Sequence, residues 1–202
     1  MPHVNISPRI IRETSAGLTF TTVYDEMLAR REIAIVGDIA DAMAFEVCQH
    51  LFALERQDPR AEIALHISSG GGSVGAGLAI VDVMSAVSCP VRTVCLNLAA
   101  SMAAVIFVAG DRREMGEHAE LMIHDPLIMG GAGSTALAVQ ATSKRLMGMR
   151  RTLNGLLAER SGLTLKRVQA LTSKDTYLTA ERACELGFAD AVIASRKEAT
   201  RA

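Results

Sequence analysis

Four short aliphatic runs, separated by stretches of helical period, restrict what this sequence can fold into. They are Glu32-Ile33-Ala34-Ile35-Val36-Gly37, Ile63-Ala64-Leu65-His66-Ile67-Ser68, Val91-Arg92-Thr93-Val94-Cys95-Leu96 and Glu120-Leu121-Met122-Ile123-His124. Runs of this length with little polar alternation fit strands covered on both faces, the setting of a parallel sheet. The first ends at a glycine, the second runs into Gly70-Gly71-Gly72, the third starts after Pro90 and the fourth closes at Pro126. Between them the period changes. Asp38–Arg56 carries Met43, Val47, Leu51 and Leu54 at helical spacing, with Asp38 or Asp41 as cap and Asp58-Pro59 as the break. Ser73–Ser88 and Ala100–Ala109 read as helices of small and apolar residues, the second stopped by Gly110-Asp111. Strands alternating with helices predict an α/β fold with parallel pairings.

The flanks are plainer. Residues 1–18 show no clear period and read as an arm or loop, and Thr22–Arg30 reads as a short amphipathic helix through Val23, Met27 and Leu28. Beyond the glycine link Met129–Gly133, Ser134 is placed to cap a long helix, about 134–160, with Leu137, Leu146, Met149, Leu153, Leu156 and Leu157 as its apolar positions. No strand follows at once, so this helix is expected to project and pack against another subunit. Ser161-Gly162-Leu163-Thr164 and Thr179-Ala180-Glu181-Arg182 open shorter helices, Ala191-Val192-Ile193 is a closing strand, and 196–202 is a charged tail. With no internal repeat or linker, residues 19–195 read as one domain, and 202 residues suffice for one sizeable core.

Composition narrows the partners. Half the residues are apolar but only 3% are aromatic, so the interior is built from Ala, Leu, Ile, Val and Met. A formal net charge of −1 gives no electrostatic case for nucleic acid or an anionic membrane. The basic cluster Lys144, Arg145, Arg150 and Arg151 reads as a solvated helix face. Cys48, Cys89, Cys95 and Cys184 lack metal-finger or CxxC spacing and read as free thiols of a reducing compartment. Met1-Pro2-His3-Val4-Asn5 begins no long apolar run, and the most apolar windows are too short to span a bilayer. A cytoplasmic protein with no membrane partner is the expectation.

The chemistry centres on Ser101, in Ala99-Ala100-Ser101-Met102-Ala103-Ala104. A serine hydroxyl needs a base to take its proton and donors to hold the oxyanion that forms. A serine at a strand-to-helix junction is exposed to substrate and to the positive end of a helix dipole, although helix capping alone is a common role for serine. The glycine cluster can turn backbone N–H groups toward a ligand. The N–H groups of Gly72 and Met102 are the candidate oxyanion donors. No Lys-Ser/Thr pair closes the run from Gly70, so it is not a P-loop. His124, at a strand end, is the candidate base. His3, His50, His66 and His118 are weaker. Asp175, before Thr176-Tyr177-Leu178, is the preferred acid. Its rival Asp125 is next to His124, and neighbours in a strand point to opposite faces.

These segments resemble the proteolytic subunit of the Clp protease, the ClpP family, over about Ile10 to Ile193. The resemblance rests on the Ser101 segment, on Met122-Ile123-His124-Asp125-Pro126, and on Asp175-Thr176-Tyr177-Leu178-Thr179-Ala180 with Ala183-Cys184-Glu185-Leu186-Gly187-Phe188-Ala189-Asp190. It implies a ClpP/crotonase-type fold with stacked parallel-rich sheets, flanking helices and a protruding handle, the helix from Ser134. It implies a serine endopeptidase with Ser101, His124 and Asp175 as its triad, and rings of seven stacked face to face around a chamber. Residues 1–18 would be the axial arm, matched at Arg9-Ile10-Ile11-Arg12-Glu13-Thr14. The implied partners are copies of this chain, peptide or unfolded protein as substrate, and a Clp-type AAA+ unfoldase or a ClpP paralogue. ATP would enter only through the ATPase, and this chain would hold neither cofactor nor metal.

Three departures from the family pattern bear on function. Ser68-Ser69-Gly70-Gly71-Gly72 stands where the family has Asn-Ser-Pro-Gly-Gly, and losing the proline predicts a looser turn. Asp125 replaces a glutamine after the histidine, so it is placed to raise the pKa of His124 or divert its hydrogen bond. Ala64-Leu65-His66, with Ile80 and Ala86 on the next helix, offers few of the aromatic anchors that receive the family's ATPase loops. Two alternatives follow: a catalytically weak or regulatory subunit of a mixed ring, and a crotonase-like acyl-CoA enzyme on the same fold.

Overall fold

The computed structural model describes residues 9–14, 17–128 and 135–193. Among them, β1 (Arg9–Thr14) and β2 (Gly17–Thr22) form an antiparallel hairpin, where the sequence suggests an irregular arm. Ile11 pairs with Phe20 across it, yet both side chains stay exposed, so there is no buried face to leave an alternating pattern. Thr22 then caps α1 (Val23–Ala29) in a reciprocal box with Asp25.

β3 (Glu32–Ile39) runs on through Gly37 instead of ending there, so Asp38 lies in a strand. The helix that follows, α2 (Asp41–Gln57), has Ala40 at its N-cap and no side-chain cap, so neither Asp38 nor Asp41 fills that role. Its buried face includes Val47, Leu51 and Leu54, as the period predicts. β4 (Ile63–Gly72) absorbs the whole glycine cluster, and Ser73 caps α3 (Val74–Ala86) through Ala76 N–H. β5 (Val91–Ala100) is longer than its aliphatic run and delivers the chain into α4 (Met102–Ala109), every residue of which is buried. β6 (Arg112–Met115) and β7 (Glu120–Ile123) follow.

The long helix is α5 (Ala136–Ser161), capped by Thr135; Ser134 lies outside the described residues. Its apolar positions divide: Leu153 and Leu157 are buried, while Leu137 is 78% exposed. Only the C-terminal turns of α5 lie in this protomer's core. α6 (Leu165–Thr172), β8 (Thr176–Thr179), α7 (Ala180–Glu185) and β9 (Ala191–Val192) complete the order. The expected tail at 196–202 lies outside the described residues.

The main sheet runs β3-β4-β5-β6-β9, all parallel. β5 divides its partners: Arg92–Cys95 pairs with β6, and Leu98–Ala100 pairs with β7. β8 joins β7 antiparallel. The predicted α/β class with a parallel-rich sheet holds. The split at β5 sets the site, because it brings the Ser101 junction beside the end of β7.

Candidate active site

Ser101 occupies the single residue between β5 and α4, with φ 56° and ψ −121°. A non-glycine residue there costs about 1–3 kcal/mol and persists only where its neighbours enforce it. The enforcement is visible. Ser101 N–H donates to Met122 O at 2.8 Å, and Ser101 O accepts from Ala104 N–H at 3.1 Å. The hydroxyl caps nothing in α4. It lies 2.8 Å from His124 Nε2 instead. The result is a sharp strand-to-helix turn with the hydroxyl turned to the imidazole.

His124 and Asp175 reach the site through strand pairing. β7 and β8 are antiparallel with Ile123 opposite Thr176, so His124 and Asp175 are the next residues outward on each strand. His124 Nδ1 lies 3.7 Å from Asp175 Oδ1, beyond hydrogen-bond length, with 12% and 66% of the two side chains exposed. The three side chains that the sequence singles out therefore converge, with the serine–histidine bond made and the histidine–aspartate contact open.

Asp125, the rival acid, is committed elsewhere. Its carboxylate accepts from Arg150 Nε at 2.6 Å, Thr172 Oγ1 at 2.8 Å and Asn154 Nδ2 at 3.3 Å. Burial pushes this carboxyl up, but those bonds and the Arg150 charge outweigh it and hold it below the ordinary range. This corrects the expectation that Asp125 diverts a hydrogen bond of His124. It also corrects the reading of Arg150 as part of a solvated face. Arg150 and Asn154 are four residues apart and share one side of α5.

Two backbone features face the serine. Met102 N–H, the first amide of α4, is too early in the helix for an acceptor within it, and Ser101 supplies no side-chain cap. Gly71 and Gly72 hold φ 104° and 149°, and a Cβ at Gly71 would fall 2.7 Å from Ser101 Cβ. Sequence reasoning misses Gly71, and its place in a triple glycine is the available signal. The bonding of this segment is not that of a loose turn. Asp38 and Ile39 of β3 pair with Gly71 and Gly72, and Ser69 Oγ donates to Gly37 O at 2.6 Å while accepting from Gly71 N–H at 3.1 Å.

Ser101, His124, Asp175, Gly72 and Met102 all line one cleft of about 560 Å³. Val74, Val105, Leu127, Leu153 and Leu157 add apolar wall to it, and Asp38 adds a second carboxylate. The thiols take no part there. All four cysteines are free, and burial pushes Cys95 up to about 11, so it stays protonated at neutral pH. Among the described residues no group of three His, Cys, Asp or Glu is placed to hold a metal ion.

The outer side of the sheet near His66 is polar. Arg92 on β5 bonds Glu62 at 3.0 Å and Glu114 at 2.9 Å, and Arg112 bonds Glu62 at 3.0 Å. His66 Nε2 is 3.9 Å from Glu32 and has no hydrogen bond. Burial and the Arg92 charge lower its pKa, against the pull of Glu32.

A sequence model of the Clp protease family matches residues 15–196. The match spans nearly the whole chain, including every residue of the cleft. On that match and this parallel-rich α/β fold, the chain belongs to the Clp protease family.

Proposed function

We propose that this protein is a serine endopeptidase in which Ser101 is the nucleophile, His124 the proton carrier and Asp175 the residue that orients His124. The observation that carries the reading is the 2.8 Å contact between Ser101 Oγ and His124 Nε2 at a strained strand-to-helix turn. Ser101 attacks the substrate carbonyl as its proton passes to Nε2. The N–H groups of Met102 and Gly72 receive the developing oxyanion. His124 then gives the proton to the departing amine, and a water activated by the same imidazole releases the acyl group. Closing the 3.7 Å gap to Asp175 takes a small side-chain movement, of the kind that accompanies substrate binding. The aliphatic wall of the cleft suits an apolar residue next to the scissile bond.

The reading includes a cytoplasmic assembly of this chain, in stacked rings of seven, with the serines facing an internal chamber. In it α5 is the handle between rings and the N-terminal residues are the axial arm. Exposure along the first half of α5 supports a contact between copies, since Leu137 and Met147 are 78% and 53% exposed. The reading needs no cofactor in this chain. The mixed-ring alternative has no observation in its favour at the site.

The deciding experiment is labelling by a fluorophosphonate probe. The wild type is expected to label and Ser101→Ala to lose the label, with both assemblies of equal mass by native mass spectrometry. Equal labelling of the two proteins would remove Ser101 from the role.

A further inference from the structure

The sheet ladder between β7 and β8 ends at Ile123 opposite Thr176, so nothing in the sheet itself fixes His124 against Asp175. A second set of bonds lies just past them. Asp125 N–H donates to Thr172 O at 2.6 Å, and Asp125 Oδ1 accepts from Thr172 Oγ1 at 2.8 Å. His124 is the one residue between Ile123 and Asp125. Asp175 lies between Thr172 and Thr176. The base and its acid are thus bracketed, by a ladder pair on one side and by the double Asp125–Thr172 contact on the other.

The outer bracket is itself anchored. Asp125 Oδ2 accepts from Arg150 Nε at 2.6 Å, and Asn154, only 1% exposed, donates to Oδ1 at 3.3 Å. Thr172, also 1% exposed, is the last residue of α6. One carboxylate therefore joins the end of β7 to α5 and to the end of α6, from which the chain runs on to Asp175.

We propose that Asp125 is a positioning residue for the catalytic pair: it sets His124 and Asp175 in register by fastening the end of β7 and the end of α6 to α5 through Arg150 and Asn154. This inference rests on the peptidase reading above. Asp125 touches neither substrate nor the reacting atoms, and acts through His124. The clamp is partly shielded, with 25% of the Arg150 side chain and 31% of the Asp125 side chain exposed, which lets the ion pair hold better than a surface pair.

The test uses the full chain, a fluorogenic peptide and the fluorophosphonate probe. Asp125→Asn keeps the volume but sets an amide donor against the donors of Arg150 or Thr172. It is expected to lower kcat and the labelling rate by about 10- to 100-fold while KM changes by less than about twofold, the pattern of a misplaced base. Arg150→Gln should behave in the same way, and Arg150→Lys, which keeps a cation in reach, should recover most of the rate. The double variant should be no slower than either single one, since both break one unit. A folded Asp125→Asn or Arg150→Gln that labels at the wild-type rate overturns the inference, as does a loss carried wholly by KM. Should Asp125→Asn fail to fold, Arg150→Gln decides between the two outcomes. If the wild type takes no label, or Ser101→Ala labels equally, the peptidase reading itself fails and this inference goes with it.

Discussion

At Gly71 the chain has no room for one methyl group beside Ser101. A Cβ there would sit 2.7 Å from Ser101 Cβ and 2.8 Å from Ala100 O, at φ 104°. The absent side chain lets β4 press against the turn that holds Ser101 in its strained conformation. Gly71→Ala is expected to lower stability by at least about 1–3 kcal/mol, from backbone strain alone. On the peptidase reading it should also slow labelling of Ser101 by about tenfold or more, because the clash displaces that residue. The urea midpoint and the labelling rate read the two effects. A variant with a wild-type midpoint and rate would show that the strand shifts without cost. That Ser101 and His124 converge is foreshadowed in the sequence, since each follows an apolar strand, and Asp175 opens the Thr176-Tyr177-Leu178 segment that pairs beside His124. Gly71 is hidden in a run of three glycines, and the role proposed for Asp125 depends on Arg150 and Thr172, distant in sequence and adjacent only in space.

Between elements, carboxylates gripped by arginines do the fastening. Arg113 on β6 grips Asp190, just before β9, through Nη2 at 2.5 Å and Nε at 3.0 Å, and also donates to Arg160 O and Gly187 O. Burial raises the Asp190 carboxyl, but the bonds and charge of Arg113 together hold it below the ordinary range, as Arg150 does for Asp125. A carboxyl depressed in the folded state binds its proton less readily than the unfolded chain does. Its contribution is therefore complete above the ordinary carboxylate pKa and is lost as pH falls through the lower folded value. Stability should decline below about pH 4. Asp190→Asn should lose stability at neutral pH and show a shallower acid decline, measured by urea unfolding at a series of pH values. An unchanged acid slope would exclude Asp190 as a contributor. The four aliphatic strands are readable because each carries an apolar run, although β3 and β7 bury only alternate residues and leave Val36 exposed. β6, with Arg112, Arg113 and Glu114 in its four residues, and the exposed hairpin β1–β2 are not, since ion pairs and cross-strand bonds hold them and leave no apolar period.

Over the whole molecule, surface chemistry sorts the partners. No helix among the described residues is long and apolar enough to cross a membrane. The outer sheet face, where the family resemblance would put an ATPase loop, is tied by Glu62, Arg92, Arg112 and Glu114. Docking of a peptide loop draws its energy from aromatic and aliphatic anchors in dry pockets, and side chains already ion-paired with one another supply little. A standard Clp ATPase is accordingly expected to leave protein degradation by this chain nearly unchanged, measured as release of fluorescence from a labelled unfolded substrate. Strong ATP-dependent stimulation would refute that expectation. The first half of α5 is another matter. At 26 residues the helix is about 39 Å long, and its buried side chains are confined to Leu153, Asn154 and Leu157 near one end. The consequence is colloidal. A lone subunit in dilute solution leaves Leu137, Val139 and Met147 open to water on that half, so losses to vessel walls and clumping at low concentration should begin there.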